Sequence, residues 1–184
     1  GWLQAPGPVQ AIRSDGRTLS ASGLDGNTRQ GYLDLQQPVT LVLESDRGRI
    51  TAGRTRWLFS AEQLQSDQPI QAELKNSKVQ GRGFKLDQRT GTVIISNSCR
   101  VEQTLETLTA QRCAWNWRSE RVVADGDVVL QRTEPEQITR ASRMEAKISD
   151  DGAIRFGQAG ARVESTIKLS PAAQEKPRRP QVSF

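Results

Sequence analysis

The sequence predicts an all-β fold built from repeats of about 30 residues, because two short apolar patterns recur along it at nearly constant spacing. The first pattern opens each repeat, and its copies begin 29, 29 and 30 residues apart, at Ile50, Val79, Leu108 and Ile138. The second pattern closes each repeat, and its copies end 31, 31 and 27 residues apart, at Val39, Ile70, Val101 and Val128. A period of this length is typical of one supersecondary unit that buries its apolar face against its neighbours.

The repeated element is a β-strand that changes direction once. In residues 33–43 the odd positions are mostly apolar, which is the period of a strand with one buried face. The phase then changes within the unit, since Ile50 and Ala52 are even whereas Trp57 and Phe59 are odd. One face stays buried through such a change only if the strand kinks or bulges. A kink at the same point of every unit folds the stack into two facing walls, so we predict an open antiparallel β-jellyroll.

The chain divides into three stretches. Residues 1–30 carry a weak copy of the repeat with Pro6, Pro8 and several glycines, so we expect a weak first unit there. Residues 31–169 carry the clear copies and form the jellyroll. Residues 170–184 contain three prolines and few apolar side chains, which predicts a mobile tail.

The composition is polar and basic, with 35% hydrophobic and 26% charged residues and a formal net charge of +5. Most of the basic residues are arginines, whose guanidinium fork suits phosphate. Nucleic acid, an anionic lipid and simple solubility all explain this charge. The arginines are spread over all units rather than clustered on one helix or loop, so we expect no nucleic-acid partner. No run of 18 apolar residues is present, and no transmembrane helix is expected.

Little in the sequence suggests catalysis. The chain has no histidine, which excludes Ser-His and Cys-His nucleophilic mechanisms. Its paired carboxylates, such as Asp125 and Asp127 or Asp150 and Asp151, lie in turn contexts, where aspartate is common for backbone reasons. Two cysteines without CxxC spacing do not make a zinc site. We therefore predict a non-enzymatic protein that needs neither a metal nor a cofactor.

The two cysteines, Cys99 and Cys113, share the strand phase of Val101 and Trp115, so both should point into the stack. A single pair fits a disulfide in an oxidising compartment. Two buried free thiols are the alternative, and the sequence leaves both states open.

Two segments, 50–57 and 64–70, resemble the OstA-like repeat of lipopolysaccharide-transport proteins. That repeat consists of an apolar-Thr-Ala opening, an aromatic residue shortly afterwards, a turn, and a Gly/Pro-Val close. Residues 108–115 with 124–128 make a second good copy, and residues 79–87 are similar to the glycine-containing LptC version. The resemblance extends over about residues 33–169. LptC, LptA and the periplasmic part of LptD share the repeat, and this chain is most similar to the LptC family.

The resemblance implies a periplasmic protein that holds lipopolysaccharide acyl chains between the walls of a β-jellyroll, with any inner-membrane anchor lying outside this chain. It implies head-to-tail assembly with other Lpt-type jellyroll domains, and with an inner-membrane ABC transporter complex, into a bridge from the inner to the outer membrane. Alternation selects the apolar residues that point inward. Those we assign to lipid contact are Val39, Leu41, Ile70, Leu74, Phe84, Leu86, Leu105, Trp115, Trp117 and Leu130.

The last strand of the repeat array is the expected site of assembly. It alternates cleanly, with Val163, Ile167 and Leu169 on one face. Neither terminus carries a helix pattern that would cap the stack, and an uncovered strand edge is normally charged or used by a partner. We therefore predict strand addition by a neighbouring jellyroll at Val163, Thr166, Ile167 and Leu169.

Two other functions compete with lipid transport. A structural β-solenoid scaffold has the same repeats around an interior that is only a packed core. A module that binds anionic polysaccharide uses the distributed arginines. Binding of a hydrophobic probe by the native protein separates a groove from a filled scaffold, and a steep salt dependence identifies contacts to anionic groups.

Overall fold

The computed structural model describes residues 1–151, 153–158 and 163–168. Its strands pair antiparallel throughout. Two short 3-10 helices, Glu44–Asp46 and Phe59–Ala61, lie in turns. The strands are β1 Trp2–Ala5, β2 Val9–Ile12, β3 Thr18–Ala21, β4 Leu24–Asn27, β5 Tyr32–Leu35, β6 Val39–Val42, β7 Arg49–Ala52, β8 Thr55–Leu58, β9 Gln63–Glu73, β10 Lys78–Asp87, β11 Thr92–Glu102, β12 Glu106–Ala110, β13 Arg112–Asn116, β14 Arg121–Thr133, β15 Glu136–Ile148, β16 Ile154–Gln158 and β17 Val163–Lys168.

These strands form two walls, and the long strands contribute one half to each. The first wall runs β2, β3, β6, β7, β9, β10, β11, β12, β14, β15, β17. The second wall runs β1, β4, β5, β8, β9, β10, β11, β13, β14, β15, β16. The chain is therefore the predicted all-β antiparallel jellyroll.

The two repeat markers occupy alternate strands of the first wall. Ala52 in an opening pairs on one side with Val39 and on the other with Ile70, each of which ends a close. Val101, in the next close, likewise pairs with Val79 and Leu108, which begin the openings on either side of it. Each repeat of about 30 residues therefore contains one pass of the chain from the first wall to the second and one return pass.

Where the chain passes from one wall to the other, the change of phase coincides with a bulge in the long strands and with a break between β7 and β8 and between β12 and β13. The pairing of β10 with β11 shifts between Gln80 and Arg82, and that of β14 with β15 shifts between Asp125 and Val128. A Cβ on Gly81 would lie 2.3 Å from the Ile95 side chain, so the neighbouring strand occupies the space of a side chain there. We call this edge, where the chain crosses between walls, the spine.

A disulfide joins Cys99 of β11 to Cys113 of β13 beside the spine, with 5.9 Å between their Cα atoms. Both residues are buried, as their strand phase predicts. β11 begins in the second wall, where it pairs with β13, and ends in the first wall, where it pairs with β12. The bond therefore ties the point where β11 crosses between the walls to the point where the chain crosses back from β12 to β13.

Residues 1–30 hold β1–β4, which continue both walls beyond β5 and β6. The tail, residues 170–184, lies outside the described residues. No helix in the described part of the chain is long and apolar enough to span a membrane.

Candidate functional site

The apolar residues that alternation assigns to the interior come mostly together in one core. Val39, Leu41, Ile70 and Leu130 belong to the first wall, and Phe84, Leu86 and Trp115 belong to the second; Trp117 follows β13. All eight are buried in the same apolar cluster, and Leu74 is half-buried against it. In the described residues this interior is filled by side chains rather than forming an empty trough along its length.

Leu105 is the exception, and its predicted inward orientation is wrong. It lies in the turn between β11 and β12, and 49% of its surface is exposed. Alternation fixes the direction of a side chain only within a strand, and strand geometry ends at Glu102 and resumes at Glu106. Leu105 therefore falls outside the core cluster.

Opposite the spine, the turns of the two walls face each other across an edge that we call the mouth. In the first wall these turns are residues 13–17, 43–48, 74–77, 103–105 and 134–135, and in the second wall 28–31, 59–62, 88–91, 117–120 and 149–151. Among the described residues, two cavities enter the interior along this edge.

The central cavity has a volume of about 340 Å³ and an apolar floor with a charged rim. Leu74, Trp115, Trp117 and Ile148 supply the apolar surface. The rim is formed by Arg47, Lys75, Glu120 and Asp150 together with Ser45 and Ser149. Ligand pockets are typically about 300–1,000 Å³, so the cavity as it stands admits one slender apolar group.

The N-terminal cavity is smaller, at about 130 Å³, and has the same polarity. Its floor contains Leu19, Leu41, Trp57 and Phe59. Its polar lining consists of Arg13, Arg17, Glu62 and Gln88, of which Arg17 and Gln88 are buried. Both cavities thus place a tryptophan beneath a cationic rim.

Between the cavities, Glu44 reaches from the first wall to the second. Its Oε1 atom accepts hydrogen bonds from Trp117 Nε1 at 3.3 Å and from Arg118 Nε at 3.1 Å. Its Oε2 atom lies 3.9 Å from Arg17 Nε. Arg118 also donates to the Gln88 carbonyl at 2.7 Å. We call this group of Arg17, Glu44, Gln88, Trp117 and Arg118 the latch.

Arg17 is an unusual member of the latch because its side chain is almost fully buried. Asp15 holds it, accepting from Nη2 at 2.6 Å and from Nε at 2.9 Å. Its Nη1 atom lies 3.4 Å from the side-chain oxygen of Gln88 in the second wall. A buried guanidinium requires such partners, since an unpaired buried charge is very costly.

Further ion pairs cross the mouth on both sides of the latch. Arg13 lies 3.4 Å from Glu62, and Arg47 lies 3.7 Å from Glu120. Arg47 also donates to the Trp117 carbonyl at 2.8 Å. This half of the mouth is therefore closed by charged side chains.

The other half of the mouth is closed by neutral amides. Gln103 donates to the Ile154 carbonyl and accepts from the Ile154 N–H, each at 2.7 Å, so its side chain imitates a strand neighbour. Ser77 donates to the Gln103 side-chain oxygen at 3.3 Å. Nearby, Asn76 donates to the Asp151 carbonyl. We call the contacts of Ser77, Gln103 and Ile154 the amide clamp.

The electrostatics of the charged half keep Asp15 and Glu44 ionised. Hydrogen bonds from the side chain and backbone of Arg17 lower the pKa of Asp15 to about 2. Burial by itself raises the pKa of Glu44, but hydrogen bonds from Arg118 and Trp117 and the charges of Arg118 and Arg17 outweigh it. The pKa of Glu44 therefore lies below its ordinary value, and the carboxylate stays charged at neutral pH.

Two indole N–H groups in the interior are left without acceptors. Trp57 and Trp115 each bury their Nε1 atom, and neither has a hydrogen-bond partner among the described residues. Trp57 lines the N-terminal cavity and Trp115 the central one. An unsatisfied buried donor costs about 1–3 kcal/mol, so both sites favour a ligand that brings an acceptor.

Neither a metal site nor a helix-based site appears in the part of the chain that the structure describes. No group of three or more potential metal-ligating side chains is found there. The chemistry of the mouth is instead that of guanidinium, carboxylate and indole groups over an apolar floor.

Among solved structures, the jellyroll is similar to that of LptH from Pseudomonas aeruginosa, the LptA-homologous periplasmic component of the conserved lipopolysaccharide transport device. The two chains share 14% identity, and the match covers 80% of this chain and 97% of the LptH chain with a TM-score of 0.52. This chain has an LptA-like fold. The likeness to LptH concerns the fold and does not separate an LptC-like chain from an LptA-like one. No protein-family model and no curated protein matches this sequence.

Sequence reasoning missed the latch and the clamp. Arg17 and Gln88 are 71 residues apart, and Glu44 and Arg118 are 74 apart. The only local sign is the turn that carries Arg17, where Asp15 precedes it by two residues, as in many exposed turns. Such spacing indicates a turn but not what the turn faces.

The predicted partner edge falls on β17. The backbones of Val163, Thr166 and Ile167 pair with Ala141, Ile138 and Gln137 of β15. Leu169 lies outside the described residues. Of the pairings that the structure describes, none lies on the other side of β17, which is the last strand of the first wall.

Proposed function

We propose that this chain is a non-enzymatic lipopolysaccharide-binding and transport protein of the periplasm, of the LptC or LptA type. The observation that carries the proposal is a two-walled, LptA-like jellyroll whose apolar interior opens along the mouth through two cavities. An acyl chain needs an apolar trough with polar groups only at its rim, and the mouth has this polarity. The absence of histidine from the sequence and the repeat resemblance support the same function.

In this function the walls separate at the mouth to admit acyl chains. The described contacts across the mouth each involve a side chain, so they break without disrupting the strand pairing of either wall. Trp115, Trp117 and Leu74 of the central cavity would contact the lipid first. Val39, Leu41, Ile70, Phe84, Leu86 and Leu130 would follow as the core opens, and exposed Leu105 would meet lipid at the rim.

Assembly with other jellyroll domains would extend the interior into a bridge. β17 at one end of the first wall and β2 at the other pair on one side with β15 and β3. Backbone groups on such outer edges bind an added strand. We propose that β17 receives a neighbouring Lpt-type domain, and that the bridge starts at an inner-membrane ABC transporter complex.

A structural scaffold is the second candidate, and one observation favours it. The eight interior residues assigned to lipid are as buried as an ordinary core, and a filled core has no room for a ligand. In this alternative the cavities are packing gaps and the mouth never opens.

Photo-crosslinking to lipopolysaccharide decides between the two candidates. A photoreactive residue in place of Leu74, which lines the central cavity, should crosslink to lipopolysaccharide in the native protein. The same residue in place of Glu145, exposed on β15, is the matched control and should not. Equal labelling at both positions, or none at Leu74, would favour the scaffold.

The assembly proposal has its own test. Thr166→Pro removes one backbone donor of β17 at the outer end of the first wall, where proline cannot continue a ladder. We expect the folded variant to lose capture of a second Lpt-type jellyroll domain while it keeps the Leu74 crosslink. Undiminished capture would rule out joining at this edge.

A further inference from the structure

We propose that the guanidinium groups of Arg17 and Arg118 bind the phosphate of an anionic glycolipid head group, and that Glu44 occupies their site until the phosphate replaces it. The inference rests on the proposed function, because it names the part of the lipid that opens the mouth. It concerns the latch between the two cavities.

Glu44 sits in an anion site made by both walls. Arg17 comes from the turn between β2 and β3, whereas Trp117 and Arg118 come from the turn between β13 and β14. Their donors converge on the two oxygens of one carboxylate, at 3.9, 3.3 and 3.1 Å. The distances of 3.9 and 3.3 Å are long for hydrogen bonds to a carboxylate, so these donors can bind another anion more closely. A phosphate group has more oxygens than a carboxylate and suits paired guanidinium forks.

The charge of the mouth also favours exchange. The described ion pairs there match Arg13, Arg17, Arg47 and Arg118 with Asp15, Glu44, Glu62 and Glu120. When Glu44 leaves, Arg118 loses its carboxylate partner, and Arg17 keeps only Asp15. An incoming phosphate gives both guanidinium groups an anionic partner again. Its contacts with them largely offset the free energy lost when the Glu44 contacts break.

The rest of a glycolipid fits the groups on either side of the latch. Such a lipid carries ester or amide carbonyls between its phosphate-bearing sugar and its hydrocarbon. The unpaired indole N–H groups of Trp57 and Trp115 lie in the cavities that flank the latch and lack the acceptor that a carbonyl provides. The apolar floors then meet the hydrocarbon. Phosphate, carbonyl and acyl chain thus each have a counterpart, in the guanidinium groups, the indole N–H groups and the apolar floors.

Exchange at Glu44 would remove the direct bonds that Glu44, in the 43–48 turn of the first wall, makes to the Trp117–Arg118 turn of the second. Glu44 is the acceptor shared by the first wall and the Trp117–Arg118 turn. Its departure leaves the long Arg17–Gln88 hydrogen bonds, at 3.4 and 3.5 Å, and the Arg47 and Arg13 contacts, which are more exposed and individually weak. We expect the two cavities on either side of the latch to join when these contacts open.

The test compares lipopolysaccharide with the same material stripped of its phosphates, using equilibrium binding to the whole chain. Arg118→Gln should weaken binding of the phosphorylated form roughly tenfold and leave the stripped form unchanged, since a charged hydrogen bond is lost. Arg17→Gln should weaken binding of the phosphorylated form in the same way and leave the stripped form unchanged. Glu44→Gln should bind the phosphorylated form roughly fivefold more tightly, because the competing charge is gone. Arg143→Gln, an exposed arginine of β15, is the matched control and should change neither.

Several outcomes would overturn the inference. Equal weakening of both lipid forms by Arg118→Gln, or an equal effect of Arg143→Gln, would mean that the latch does not recognise phosphate. Binding of inorganic phosphate alone as tightly as the phosphorylated lipid would make this a site for the free anion rather than for a head group. If wild type binds both forms equally, the inference fails and the proposed function stands. If it binds neither, both fail. Arg118 is half-exposed, so its variant carries the test even if Arg17→Gln does not fold.

Discussion

Along the spine the two walls are joined by the chain itself, whereas along the mouth the described contacts between them all involve side chains. At the spine, β9, β10, β11, β14 and β15 run unbroken from one wall into the other, and a disulfide lies beside them. At the mouth, the latch and the amide clamp bridge turns that belong to different strand pairs. The walls are thus joined by the covalent chain at the spine and by reversible non-covalent contacts at the mouth.

This difference explains how a jellyroll can be stable and yet able to open along one edge. Breaking the spine means breaking strands, which removes many backbone hydrogen bonds together. Breaking the mouth removes a few side-chain contacts, each worth about 1 kcal/mol or less where it is exposed to water. Motion of the walls is therefore expected as a hinge at the spine with opening at the mouth. Within the mouth, the described contacts of the charged half involve ionised groups, whereas those of the amide clamp join neutral groups.

The largest expected effect comes from the disulfide at the spine. Cys99→Ala with Cys113→Ala removes a bond that closes a loop of sequence separation 14, and we expect a loss of about 3 kcal/mol in the free energy of unfolding. Urea unfolding of the variant and wild type measures it, with wild type under reductant as the matched control. A loss below about 1 kcal/mol would show that the continuous strands alone hold this edge.

A smaller effect is expected at the neutral half of the mouth. Gln103→Leu removes both hydrogen bonds to Ile154 and leaves its backbone groups to water at the rim, for a loss of about 1–2 kcal/mol. Gln71→Leu is the control, because Gln71 bonds an exposed glutamate within one wall and should change stability by less than about 0.5 kcal/mol. Equal losses in urea unfolding would mean that the clamp adds nothing to closure.

The smallest effect is expected at the charged half, and it depends on pH. The folded-state pKa values of Asp15 and Glu44 are depressed, so their contribution is present above the unfolded values of about 4 and is lost as pH falls through the folded values. For Asp15 that loss extends down to about pH 2. We expect Glu44→Gln and Asp15→Asn to flatten the fall in stability between these limits. An unchanged slope in acid unfolding would contradict the assignment, and Gln103→Leu is expected to leave the slope intact.

The sequence by itself determined the repeated strand and where it bends. Val39, Ile70, Val101 and Val128 mark one set of strands of the first wall because a fixed period places equivalent residues on equivalent strands. The change of phase near Gly81 predicted a bulge, since two-residue alternation cannot otherwise keep one face buried. These features are local, because each depends on a few neighbouring residues.

The tertiary structure alone decided what the turns face. Whether Leu105 points inward, whether Cys99 meets Cys113, and whether Arg17 reaches Gln88 depend on how the walls are placed across the interior. Turn residues have no periodicity, so nothing local fixes their direction. The twist of the walls and the distance between them depend on all the strands together. A contact between residues 71 or 74 positions apart therefore forms only when the whole jellyroll has formed. The latch therefore became visible only in the folded chain.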